Sequence, residues 1–214
     1  MLSVIILDNG ESKVTELTYE NLYHELKDIK GSELLIYKNW FTALKKVKNN
    51  YVCFVEADCL VSPGYFNTQL KALVKNPLRK VSMVSPAVGV NHWDNCFYGY
   101  KINVASNNNG IIPNREKKSR SQYPVQIGYI PGSIIRLNML KTAVEAVRVE
   151  PSWNNDLVYL SAQLSLAFWK QGDGNPVHVY PNVTYVTTEE YVNDIAHFPV
   201  NLGNLFSKFA MESI

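Results

Sequence analysis

Short apolar runs and amphipathic stretches alternate through the first 85 residues of the chain. Residues 3–7 (Ser-Val-Ile-Ile-Leu) read as a buried strand that Asp8-Asn9-Gly10 ends with a turn. Thr18 is then the expected cap of a helix whose apolar stripe is Tyr19, Leu22, Leu26 and Ile29. Gly31-Ser32 breaks that helix, residues 34–37 make a second strand, and Trp40, Leu44 and Val47 mark a second amphipathic helix. Residues 51–55 are the third strand. Ser62-Pro63 supplies an N-cap and a first-turn proline for a helix buried along Phe66, Leu70 and Leu73, and residues 81–85 form a fourth strand. Such alternation predicts a mostly parallel α/β sheet covered by helices on both faces.

The pattern dissolves between Asn91 and Tyr123, where Trp93, Phe97, Tyr98 and Tyr100 precede an Asn-rich turn at 106–110 and the basic run 115–120. A connection this long is expected to be functional or mobile. Order returns with an apolar run at 125–130, Pro131-Gly132 and a short apolar piece at 133–135. Asn138 is the expected cap of a helix striped by Leu140, Val144 and Val147. A further helix is expected over 156–170, with Gly172 at its end, then short strands at 177–180 and 183–186 and a last amphipathic segment around Phe206.

Composition narrows this picture. With 214 residues, 46% of them hydrophobic and 19% charged, the chain can bury a full core, and one domain is expected. A net charge of +2 gives no reason to expect a strongly basic nucleic-acid binder. Cys53, Cys59 and Cys96 form neither a CxxC pair nor an even set, so no disulfide framework or zinc knuckle is indicated and a reducing cytosol is the expected compartment. The amino terminus lacks a basic region before its apolar run, which argues against a signal peptide, and no stretch reaches the roughly 20 apolar residues of a membrane span.

Candidate chemistry concentrates where the third strand ends in Glu56-Ala57-Asp58. Two carboxylates at the carboxyl edge of an open α/β sheet lie where such sheets place ligands, and their hard oxygens suit Mg²⁺ or Mn²⁺. The alternative is a polar turn that only ends the strand.

With these elements placed, the chain resembles family 2 glycosyltransferases of the GT-A fold. The likeness is carried, in the family's order, by four segments: the opening strand at 2–6; Ala43-Leu44 through Val55-Glu56-Ala57-Asp58; Gly128 to Arg136 with Leu140; and Asn155-Asp156-Leu157 to Gly172 followed by Val179-Tyr180-Pro181-Asn182-Val183. The resemblance implies a single GT-A domain over 1–214: a nucleotide-sugar-binding half at 1–90, an acceptor-side half at 91–188 and a carboxyl-terminal extension at 189–214.

It also implies a hexosyltransferase-type enzyme that uses a nucleotide sugar, a UDP-sugar being favoured, with Mn²⁺ or Mg²⁺ at the donor diphosphate. Asp58 matches the DXD position for the metal, with Glu56 standing where the first aspartate belongs, to serve the metal, the ribose or neither. Asp156 matches the base that deprotonates the acceptor hydroxyl, which implies inversion; an acid in the first turn of a helix is also stabilised there without any chemistry. Asn155 replaces the family's Glu, Asp94 is a secondary candidate base, and Trp93, Tyr98 and Trp153 are acceptor-side stacking candidates or core residues.

Arg115, Lys117, Lys118 and Arg120 could meet phosphates as a flap or simply form a solvated loop. Only two strands precede the acidic one where the family has three, which leaves Asp8 to contact the nucleobase. Thr187 stands nearest the position of the family's metal-binding His, with His197 a distant substitute. The acceptor implied is a glycan, a protein, a lipid-linked group or a modified nucleobase. The stripe around Phe206 could support a homodimer. Two rival readings are a catalytically silent GT-A-like domain that binds sugar or nucleotide, and a nucleotidyltransferase, for which residues 8–13 are a poor phosphate loop.

Overall fold

The structure, a computed structural model, describes residues 1–8, 16–74, 81–105, 108–147, 157–171, 176–188 and 196–197. Three parallel strands open the sheet. They are β1 (Leu2–Leu7), β2 (Glu33–Tyr37) and β3 (Tyr51–Glu56), with β1 between the other two. Leu2, Val4, Ile5 and Ile6 of β1 and Val52 to Val55 of β3 are all buried, as expected for strands covered on both faces. By contrast β2, at the sheet's edge, is only part-buried.

Helix α1 (Glu16–Leu26) begins two residues before Thr18, which is buried inside it rather than capping it. Leu22 and Leu26 face the core as expected, whereas Tyr19 is exposed and stacks on Tyr23. Helix α2 (Trp40–Lys46) is capped by Asn39, whose Oδ1 accepts from the N–H groups of Phe41 at 2.8 Å and Thr42 at 3.3 Å.

The expected cap of the next helix is also displaced. After β4 (Leu60–Val61), helix α3 (Tyr65–Val74) receives its end group from Glu25, whose Oε2 accepts from the Tyr65 N–H at 3.1 Å. Ser62 is drawn away because its Oγ accepts from the Thr184 N–H at 2.9 Å and its own N–H donates to the Thr184 carbonyl at 3.0 Å.

The fourth strand is longer than expected. It is β5 (Met83–Val90), which runs through Pro86. The aromatic segment that reads as a loop contains antiparallel strands β6 (Tyr100–Ala105) and β7 (Asn108–Pro113), so Asn108, Asn109 and Gly110, expected in a turn, are strand residues. The run at 125–130 is not a strand: after the two-residue β8 (Tyr123–Pro124), the chain makes only an isolated bridge at Ile127.

Serine hydroxyls replace a ladder there. Ser165 Oγ accepts from the Gly128 N–H at 3.2 Å, Ser85 Oγ from Tyr129 at 3.1 Å and Ser161 Oγ from Ile130 at 3.0 Å. Buried backbone groups need partners of some kind, and these side chains free the segment from strand geometry.

Strand β9 (Ile134–Arg136) then inserts antiparallel between β3 and β5. Helices α4 (Leu137–Val147) and α5 (Leu157–Gln171) pack on one another. Asn138 lies in the first turn of α4 and not before it.

The two short strands expected near the end are one strand, β10 (Val177–Thr187), parallel to β5. Its register shifts between Tyr180 and Thr184, and Pro181, which has no N–H to contribute, sits in that bulge. β11 (Ala196–His197) adds to β7. The large sheet runs β2-β1-β3-β9-β5-β10-β4, with β8 on β10 and helices on both faces.

Candidate functional site

The parallel strands β1 and β3 end together, Leu7 pairing with Glu56, so Asp8 and the Glu56-Ala57-Asp58 turn leave the sheet side by side. Asp8 is half-buried, and its N–H donates to the Tyr37 carbonyl at 2.9 Å. The end of β10 reaches the same edge, where the Thr188 hydroxyl donates to Asp58 Oδ2. Thr188 is a contact that periodicity could not reveal. It follows directly on Thr187, the position singled out from the sequence, and Thr187 itself is buried.

The two acidic residues do different things. Glu56 is buried and turned inward: its Oε2 accepts from the Tyr185 hydroxyl at 2.7 Å and its Oε1 from Tyr129 at 3.2 Å. Tyr185 Oη also accepts from the Glu56 N–H at 3.0 Å, so one phenol ties both ends of the residue. Burial, reinforced by Cys59 and Glu56 nearby, pushes the Tyr185 phenol well above its ordinary range and keeps it a donor. Burial likewise pushes the Cys59 thiol well up, with Glu56 adding to the effect and the Tyr185 hydrogen bond opposing it. A thiol held neutral in this way is not a nucleophile.

Hydroxyls that must be satisfied in the core thus engage both oxygens of Glu56, the acid that the resemblance offers to a metal or a ribose. Asp58 remains part-exposed. Among the described residues no group of three His, Cys, Asp or Glu could hold a metal ion. A part-exposed carboxylate such as Asp58 fits a cation whose other ligands include phosphate oxygens and water, the common mode for Mg²⁺.

The inward seat of Glu56 is built by aromatics. Tyr129 lies 6.4 Å from Tyr185, 6.3 Å from Tyr100 and 6.1 Å from Phe97 between ring centroids. Gly132, at φ +75°, lets the chain turn beneath them: its N–H donates to the Phe54 carbonyl at 2.7 Å and its carbonyl accepts from the Tyr65 hydroxyl at 2.6 Å. Sequence reading missed Tyr129 and Tyr185. Tyr129 does fall inside the Gly128 to Arg136 segment already singled out. Arg136 lies at the opposite edge of the sheet, paired with Tyr51.

Trp93 and Asp94 are both exposed, Trp93 by 49%, on a turn between β5 and Phe97. That turn starts beside Asp58: the Asn91 N–H donates to the Thr187 carbonyl at 2.8 Å, one residue before Thr188. Tyr98 is part-buried, packed on the core. The basic run is partly anchored. Arg115 donates to the Asn95 carbonyl at 3.1 Å, and Lys117 donates at 3.3 Å to both Pro181 O and Asn182 Oδ1 in the β10 bulge. Trp153, Asn155 and Asp156 lie outside the described residues, as do Gly172 and the Phe206 stripe.

No helix among the described residues is long and apolar enough to cross a membrane. The chain matches no known family profile and no curated protein. It is similar to the solved structure of S. aureus TarS, with 12% identity and a TM-score of 0.51 over 89% of this chain and 37% of that one. It also aligns with S. aureus TarS 1-349 in complex with UDP-GlcNAc, at 14% identity and a TM-score of 0.48, over 99% of this chain and 66% of that one. The chain thus spans little more than a third of the TarS structure. TarS is a glycosyltransferase, and the likeness is one of fold: a mixed α/β, mostly parallel sheet with helices, as in glycosyltransferases.

Proposed function

We propose that this chain is a glycosyltransferase domain that holds a nucleotide-sugar donor, a UDP-sugar by preference, at the carboxyl edge of β1 and β3. The observation that carries the reading is Asp58, part-exposed at that edge and held by Thr188, within a sheet of glycosyltransferase type. Residues 1–90 would form the donor half and 91–188 the acceptor half, with 189–214 an extension.

Asp58 would meet the donor diphosphate through Mn²⁺ or Mg²⁺, a cation that neutralises the departing nucleoside diphosphate. Asp8 would contact the nucleobase. Glu56 would hold the turn from within and not touch the metal, as its bonds to Tyr129 and Tyr185 suggest. Asp156 would take the proton from the acceptor hydroxyl as it attacks the anomeric carbon, giving inversion. Asp94, with Asn155 and the rings of Trp93 and Trp153, would line the acceptor side, for a glycan, protein, lipid-linked or modified-nucleobase acceptor. A cytoplasmic location and a homodimer through the Phe206 stripe belong to the same reading.

The test is release of sugar from a panel of UDP-sugars, with and without Mn²⁺, by the unmodified chain, Asp58→Asn and Asp156→Asn. Turnover that Asp58→Asn lowers by at least about a hundredfold supports the donor assignment. Turnover unchanged by Asp156→Asn refutes the base assignment. A second reading, a silent domain that binds nucleotide without chemistry, is favoured by the engagement of both Glu56 oxygens within the core. Saturable UDP binding with no sugar release by any variant would establish it.

A further inference from the structure

The amino-terminal edge of the sheet, at the other end of β3 from Glu56, carries a cleft of about 440 Å³. Lys48, Asn49, Asn50, Arg136, Asn138 and Lys141 line it together with Tyr51 and Leu137. Three of these residues are cations and none is acidic, in a chain whose net charge is only +2. The Glu33 carboxylate, on the nearby edge strand, is held instead by Ser3 Oγ at 2.5 Å and Asn49 Nδ2 at 3.2 Å.

Arg136 is fixed by backbone carbonyls. Its Nε donates to the Val81 carbonyl at 2.7 Å, its Nη2 to the Leu73 carbonyl at 3.0 Å, and the guanidinium carbon lies 5.7 Å from the Tyr51 ring centroid. A guanidinium has five N–H donors, so most remain for a ligand, and none of the carboxylates in the described ion pairs is its partner.

The eleven-residue helix α4 opens on the same cleft. Its first turn contains no acidic residue, and the Leu137 N–H donates to the neutral Asn50 carbonyl at 2.9 Å. The positive end of the helix dipole thus adds to three side-chain charges.

We propose that this cleft binds the phosphate of an anionic ligand, at a site separate from the donor edge. A planar guanidinium already oriented by two carbonyls can present paired N–H groups to phosphate oxygens, and the two exposed lysines add mobile point charges. A volume of about 440 Å³ suits a small phosphorylated molecule or a single phospholipid headgroup.

Calorimetric titration of the full chain with inorganic pyrophosphate tests this, alongside sedimentation with phosphatidic acid vesicles against phosphatidylcholine vesicles. Saturable pyrophosphate binding that weakens with salt, falls about tenfold in Lys48→Ala/Lys141→Ala and is unchanged in Asp58→Asn supports a soluble phosphate ligand. Co-sedimentation with phosphatidic acid vesicles alone, lost in the same double variant, supports a headgroup. Both lysines are exposed, so the double variant is expected to fold, and circular dichroism verifies it. The proposal is overturned if neither probe binds, if binding is undiminished in the folded double variant, or if Asp58→Asn abolishes it.

Discussion

Tyr185→Phe removes one oxygen atom from the centre of the molecule and keeps the ring. That oxygen donates to Glu56 Oε2 at 2.7 Å and accepts from the Glu56 N–H at 3.0 Å, so its loss removes one hydrogen bond from a buried carboxylate and one from a buried backbone N–H. A hydrogen bond to a charged group contributes about 1.5–3 kcal/mol, and an ordinary neutral one about 0.5–1.5 kcal/mol. Tyr129 still donates to Oε1, and the Tyr129–Tyr185 ring contact survives, so the expected net cost is about 3 kcal/mol. Urea denaturation followed by circular dichroism measures it.

The decisive comparison adds Glu56→Gln and the double variant. Because the two side chains touch, the double-mutant cycle is expected to show coupling of about 1.5 kcal/mol. A Tyr185→Phe cost below about 1 kcal/mol, or effects that add within about 0.5 kcal/mol, would refute the claim that Glu56 is an internal brace.

Two further outcomes follow from the same region. Gly132→Ala would place a Cβ 2.6 Å from both Tyr185 Cδ2 and Tyr65 Oη at a residue with φ +75°, so a loss of about 3 kcal/mol is expected on denaturation, and a loss under about 1 kcal/mol would contradict the packing. Stability should also decline in alkali. Burial raises Cys53, Cys59, Tyr65 and Tyr185 above ordinary values of 9.0 for thiols and 10.0 for phenols, so above those pH values the folded state keeps protons that the unfolded state releases. Each such group then lowers stability by about 1.4 kcal/mol per pH unit, whereas below pH ~9 none of them contributes a slope. Urea midpoints that stay level between pH 8 and pH 10.5 would contradict this.

Local pattern was enough to locate the parallel half of the sheet. The runs at β1 and β3 are apolar at nearly every position because both faces are covered, and that property is written in consecutive residues. The same holds for the stripe of α4, for the extent of α5 and for the two acids at the end of β3. Helix caps were less legible. Thr18 and Ser62 have the right chemistry for a cap, but Thr18 is buried within α1 and Ser62 is engaged by Thr184, 122 residues away. The hairpin β6–β7 was obscured because Asn108, Asn109 and Gly110, which have turn chemistry, are strand residues paired with Ala105, Val104 and Asn103.

What Glu56 does was beyond any local rule. In the sequence Glu56 and Asp58 are two residues apart and chemically alike, and alternation along a strand end does not say which of them meets the core. That was decided by Tyr129 and Tyr185, 73 and 129 residues further on, whose buried hydroxyls need acceptors and find both oxygens of Glu56. The sequence by itself determined that a carboxylate pair would stand at the carboxyl edge of a parallel sheet, since hydrophobic periodicity and strand length are local properties. Only the tertiary structure assigned one acid to the interior and the other to the open edge, because hydrogen-bond satisfaction in a closed core is settled between residues that are distant in the chain.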